Sequence, residues 1–149
     1  MTLKPIELKA RIADFTSLLK GGPMASRAFV EAFGNAVDAE DSDQSYFPEF
    51  LEDFKSETGS ILDKIRVTVN ALASGATVEQ PQLAEAFRFC HMMKGSAATM
   101  GFNRLSYLAH GMERAFEELK EKRLAPTSDL VQVLQQGFAL VEELLRSMA

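Results

Sequence analysis

The stretch His91-Met92-Met93-Lys94-Gly95-Ser96-Ala97-Ala98-Thr99-Met100-Gly101 decides how the chain folds. At 3.6 residues per turn, Ala84, Arg88, Lys94, Gly95 and Ala98 fall within about 60° of the His91 direction. Ala86, Phe89, Met93, Ala97 and Met100 point the opposite way. This is an amphipathic helix, with an apolar side that must be covered and an outer side carrying a histidine, a lysine and small residues. Gly101 is the expected C-terminal stop and Asn103 the expected N-cap of the next helix, so the chain turns back at about Phe102.

Downstream of the turn, Leu105, Leu108, Ala109, Met112, Phe116 and Leu119 keep helical spacing, and Lys120, Lys122 and Arg123 suit a C-terminal dipole. Pro126 breaks the chain, Thr127 or Ser128 caps a further helix, and Leu130, Leu134, Phe138, Val141 and Leu145 form its stripe. Upstream, Gln80-Pro81-Gln82 opens the histidine helix, whose buried side also takes Leu83 and Cys90. Before it, a helix starting near Phe47-Pro48 carries Phe50, Leu51, Phe54, Ile61, Leu62, Ile65, Val69 and Leu72, and stops at Ser74-Gly75-Ala76-Thr77. Four amphipathic helices with short connections predict an all-α, up-and-down antiparallel four-helix bundle over residues 46–149.

Residues 1–45 read as an extension. Leu8, Ile12, Phe15 and Leu19, then Phe29, Val30, Phe33 and Val37, predict two short helices separated by Gly21-Gly22-Pro23. The acidic run from Asp38 to Ser45 reads as a solvated linker.

The chain has 149 residues, and 16 Lys+Arg against 21 Asp+Glu give a net charge of -5. That balance, with no basic stripe, argues against nucleic acid or an anionic membrane as partner. Cys90 is the only cysteine, which excludes an intramolecular disulfide and a cysteine-based zinc site. The N-terminus has neither a secretory signal nor an unbroken apolar run, so no membrane insertion is expected and a cytoplasmic location is inferred.

The hairpin also predicts a site. A turn at about Phe102 sets His91 level with Met112 and Glu113, since each lies about ten positions from it. His110 and Glu113 share the face holding Ser106 and Glu117, from which Glu113 can reach the His91 imidazole. A carboxylate accepting from one ring nitrogen holds the tautomer in which the other is a free nucleophile. Lys94 supplies positive charge for an incoming phosphoryl group. Gly95, at a helical cost of about 1 kcal/mol against alanine, leaves room for a partner to approach. Phe87 and Met92 flank this face and read as packing at the helix seams. A helical glutamate such as Glu113 also has a default role in pairing with nearby bases.

His91-x-x-Lys94-Gly95-Ser96-Ala97, closed by Met100-Gly101, resembles the signature of histidine-containing phosphotransfer (HPt) domains. With His110-x-x-Glu113 the likeness narrows to the phosphotransfer domain at the N-terminus of chemotaxis-type histidine kinases. It covers roughly Tyr46 to the C-terminus. The resemblance implies that His91 accepts phosphate from the kinase's ATP-binding domain and passes it to an aspartate of a response-regulator receiver domain. It also implies a hydrogen-bonded network of Lys94, His110 and Glu113 around that histidine, and a place for this chain at the front of a larger kinase.

No glycine-rich nucleotide loop is present, so the chain is not expected to bind ATP, and no cofactor is expected. A second reading is a helical adaptor or inhibitor that binds a kinase or receiver domain without being phosphorylated. A di-iron bundle would need paired Glu-x-x-His motifs. Only His91 and His110 are available, and His110-x-x-Glu113 runs in the reverse order, so no metal is expected.

Overall fold

A computed structural model describes residues 48–122 and 125–148. The two short helices and acidic linker expected over residues 1–45 lie outside the described residues. A 3₁₀ turn, Pro48–Phe50, leads into α1 (Leu51–Ala73), followed by α2 (Gln80–Thr99), α3 (Asn103–Lys120) and α4 (Ser128–Ser147). Each helix packs on its neighbours in a ring, α1 against α2 and α4, and α3 against α2 and α4, with the closest approach between α2 and α3. This is the expected all-α four-helix bundle.

Bonds between helix ends show that neighbours run antiparallel. At one end, Lys55 Nζ donates to the Met148 carbonyl at 3.2 Å, and the Phe54 and Phe102 rings lie 5.0 Å apart. At the other, Gln80 Nε2 donates to the Lys120 carbonyl at 3.2 Å. Between them, Arg66 joins α1 to α4 through Glu142 Oε2 at 2.6 Å, and its guanidinium lies over the Phe138 ring.

The stops follow the glycines. Gly75 and Gly101 both take φ of 81°, a conformation that costs residues with a Cβ. After Gly101, the N–H of Phe102 bonds the Ala97 carbonyl at 2.9 Å and that of Gly101 the Ala98 carbonyl at 3.0 Å. Gly75 and Ala76 repeat the pattern on Leu72 and Ala71. Both are Schellman closures, which satisfy the last carbonyls while reversing the chain. Because Phe102 is buried as the closing apolar residue, α3 starts directly after it. Phe102 stands at the N-cap without a side-chain cap, and Asn103, the expected cap, is the first helical residue. At α4, Thr127 is the cap, accepting from the Leu130 N–H.

The core takes the predicted stripes, with Ile65, Cys90, Met93, Leu108, Met112, Phe116, Leu130 and Leu134 fully enclosed. Met100, Leu145, Leu51 and Ile61 pack only partly against it. Phe50, expected within the stripe of α1, precedes the helix and is 51% exposed. Thr58 and Thr68 are buried on α1 although polar, and Thr68 Oγ1 accepts from Gln82 Nε2 across to α2 at 3.2 Å.

Candidate functional site

The outer side of α2 is set by what its inner side buries. Cys90 and Met93, on either side of His91, are enclosed in the core, so the helix turns the imidazole outward with its side chain 64% exposed. Met92, expected at a seam, is exposed, because Cys90 and Met93 already fill the inward directions. Phe87 is half-buried at the α2/α3 seam, with Lys120 Nζ 4.8 Å over its ring.

Glu113 does not lie on an open face of α3. The close approach of α2 and α3 encloses it, leaving 6% of the side chain exposed. An unpaired carboxylate there would be costly, and both of its oxygens are engaged. Oε2 is 2.6 Å from His91 Nδ1, and Oε1 accepts from Lys94 Nζ at 2.9 Å. His110 Nε2 stands 3.9 Å from Oε1, beyond hydrogen-bonding range and within Coulombic reach. Thus the structure brings Lys94, His110 and Glu113 together at His91. Sequence reasoning assigned no role to Ser106, yet its hydroxyl donates to the Lys94 carbonyl at 3.0 Å and ties α3 to α2 at this level.

The geometry fixes a tautomer. An ionised carboxylate only accepts, so in the neutral ring Nδ1 must carry the hydrogen that points at Glu113. The lone pair is then on Nε2, across the ring from the groove. Partial burial, together with the charge of Lys94, lowers the pKa of His110 despite the opposing pull of Glu113. His110 is therefore a neutral neighbour at physiological pH. Burial, aided by the charge of Glu113, raises the Cys90 thiol well above its ordinary value, which suits a core residue and not a nucleophile.

Gly95, one turn beyond His91, is exposed, and a Cβ built on it meets nothing within 4 Å. The bundle itself does not require a glycine there. The site is a helix face and not a cavity. A cleft of about 660 Å³ lies at the other end of the bundle, near Leu72, Gln80, Leu119 and Pro126. Gln80 is about 16 Å from His91 along α2. Among the described residues no group of three or more His, Cys, Asp or Glu is arranged to hold a metal ion, and no helix is long and apolar enough to cross a membrane.

Bundle and site together define a helical domain that presents an exposed imidazole oriented from the neighbouring helix. The chain belongs to the Hpt domain family, whose model matches residues 49–146. Among curated proteins it is similar to chemotaxis protein CheA of Listeria monocytogenes, 42% identical over 52 residues, which is 35% of this chain and 8% of that protein. It is 30% identical over 97 residues to CheA of Halobacterium salinarum, covering 65% of this chain and 14% of that protein. With CheA of Treponema pallidum it shares 25% identity over 101 residues, 68% of this chain and 12% of that protein. The matches thus span between 8% and 14% of the length of these relatives. No solved structure gives a significant match. Family membership supports histidine phosphotransfer in two-component signalling.

Proposed function

We propose that His91 is the phosphoacceptor of this chain, taking a phosphoryl group at Nε2 from the ATP-binding domain of a histidine kinase. It then passes that group to an aspartate of a response-regulator receiver domain. The observation that carries this reading is the 2.6 Å contact of Nδ1 with a buried carboxylate while the imidazole is 64% exposed. In the first step the Nε2 lone pair attacks the γ-phosphorus of ATP. The bond to the bridging oxygen breaks, and ADP leaves. Nδ1–H stays on the ring, and Glu113 stabilises the positive charge that develops there. In the second step the Nε2–P bond breaks, its electron pair returns to the ring, and an aspartate oxygen of the receiver takes the phosphoryl group.

The remaining residues have distinct parts. Lys94 donates to Oε1 of Glu113, which holds the carboxylate aimed at His91, and adds positive charge beside the ring. His110 Nε2 stands 3.9 Å from Oε1 of Glu113, beyond the kind of hydrogen bond that orients His91, so the carboxylate does not hold its ring in the reactive tautomer. Gly95 gives a partner's active site access to Nε2. Residues 46–149 form the transfer unit in this reading, and a cytoplasmic setting fits its partners.

The test is a time course with a CheA-type ATP-binding domain, radiolabelled ATP and a receiver domain. Wild-type chain gains acid-labile phosphate and loses it to the receiver, and His91→Gln gains none. Labelling that survives His91→Gln would sink the assignment. Binding to either domain with no phosphate uptake by the wild type would instead support a non-phosphorylated adaptor.

A further inference from the structure

Two cations stand on α2, Arg88 and Lys94, three residues before and three after His91. Each therefore starts from a Cβ about 5–6 Å from that of the histidine. Their surroundings differ. Lys94 is drawn into the α2/α3 groove, with 27% of its side chain exposed, and its ammonium sits on the buried Glu113 carboxylate. Moving it onto a phosphoryl group in solvent would strip a partner from a nearly enclosed charge, which is strongly unfavourable.

Arg88 is held by little. Its side chain is 60% exposed, and Nη2 lies 3.8 Å from Oε1 of Glu85, itself 58% exposed. Nη1 lies 3.9 Å from the Met92 sulfur, a weak acceptor. The guanidinium rests 4.8 Å from the centre of the Phe89 ring, which also carries Lys64 Nζ at 5.1 Å. Arg88 and His91 share the outer side of α2, one helical turn apart and within about 60° of each other around the helix. An arginine fork with nearly unspent N–H groups therefore stands one helical turn from the exposed imidazole, within reach of a group on its outer nitrogen by side-chain rotation. Leaving an exposed ion pair at this distance costs little.

We propose that Arg88 is a phosphoryl-binding residue: it moves from Glu85 and Met92 onto the oxygens of the phosphoryl group on His91 Nε2. This rests on the reading of His91 as phosphoacceptor. The two cations then divide the work. Lys94 holds Glu113 in place and the ring aimed, while Arg88 clasps two phosphoryl oxygens in the bidentate geometry that a guanidinium offers and an ammonium does not. Phe89, buried beneath it, provides a fixed perch from which the side chain moves by its own torsions alone.

The test needs neither kinase nor receiver. Phosphoramidate phosphorylates an imidazole directly: its P–N bond breaks as Nε2–P forms, and the nitrogen leaves as ammonia with a proton. The whole chain is treated in this way, and the phosphohistidine is titrated by ³¹P NMR. A bound guanidinium favours the dianion, so the second phosphoryl ionisation in the wild type lies lower than in Arg88→Ala, by roughly half a pH unit or more. Uptake by Arg88→Ala is also about 3- to 10-fold slower. Arg88→Lys falls between the two. Arg88→Gln keeps the stem over Phe89 and behaves like alanine, which separates charge from packing. Glu113 and His110, which face His91 across the groove, and Lys94 on its own helix are the same in all four proteins, as is Glu85. If wild type and both neutral variants titrate alike and react at one rate, Arg88 has no such role. If wild type takes up no phosphate on His91, the phosphoacceptor reading fails first and this one with it.

Discussion

Glu113→Gln is the most informative single change, because it keeps the shape of the site and alters one property of it. The amide has one acceptor and one donor where the carboxylate has two acceptors. Lys94 can only donate, so the amide oxygen must stay at the Oε1 position, 2.9 Å from its ammonium. The NH₂ group then occupies the Oε2 position, 2.6 Å from His91 Nδ1, and donates to it. Nδ1 must accept, and the ring proton moves to Nε2, where it blocks attack. In the native site a charge-assisted bond worth about 1.5–3 kcal/mol stabilises the ring charge that develops during attack, and in the variant that is lost while a neutral bond of about 0.5–1.5 kcal/mol holds the unreactive tautomer. The sum is about 2–4.5 kcal/mol, or roughly a 30- to 2,000-fold fall in the initial rate of phosphohistidine formation. Stability should change little, since the variant loses an ion pair and a buried charge together. The rate is measured with a kinase ATP-binding domain and ATP, the tautomer by long-range ¹H–¹⁵N NMR, and the fold by thermal melting. A variant whose proton has moved to Nε2 but which is phosphorylated within about threefold of the wild-type rate would refute the reasoning.

Other substitutions separate fold from function. Gly95→Ala fills open space on a helix, so it should stabilise by up to about 1 kcal/mol and raise Tm by about 4–8 °C, whereas Gly95→Leu should slow transfer to a partner by about tenfold. A melt that falls for alanine, or unimpaired transfer by leucine, would contradict the open-face reading. Gly101→Ala forces a Cβ into φ of 81° and should cost about 1 kcal/mol, read as a fall of several degrees in Tm. For His110, burial lowers the folded pKa, so the unfolded chain takes up the proton more readily. Its contribution to stability is present above the unfolded value of about 6.5 and is lost as pH falls through the folded one. The Tm of wild type relative to His110→Gln should therefore fall between about pH 7.5 and 5, and a constant difference would show that His110 does not titrate this way.

The bundle was legible because the sequence repeats one instruction four times, an apolar stripe at helical spacing bounded by Gly or Pro. The turn at Gly101 was enough to set His91 level with Glu113, and with it the central contact of the site. The burial of Glu113 was not legible. A glutamate on the wheel belongs to the polar side, and only the close approach of α2 and α3 encloses it. For the same reason the sequence could not show that Lys94 would turn inward or that Ser106 would bind its carbonyl. Phe50 and Asn103 were misplaced by a residue or two at helix ends, where hydrogen bonding decides and periodicity does not. Arg88 stood on the His91 side of the helix wheel from the start, but its weak tethers became visible only beside the firm ones of Lys94.

The central claim is that Glu113 leaves one nitrogen of one histidine free to carry phosphate. Locating the phosphoryl group by ³¹P and long-range ¹H–¹⁵N NMR on phosphorylated protein tests it most directly. A single phosphohistidine is expected, at Nε2 of His91, with the Nδ1 proton retained and its resonance shifted by the bond to Glu113. Phosphate on Nδ1 of His91, or on His110, would contradict it.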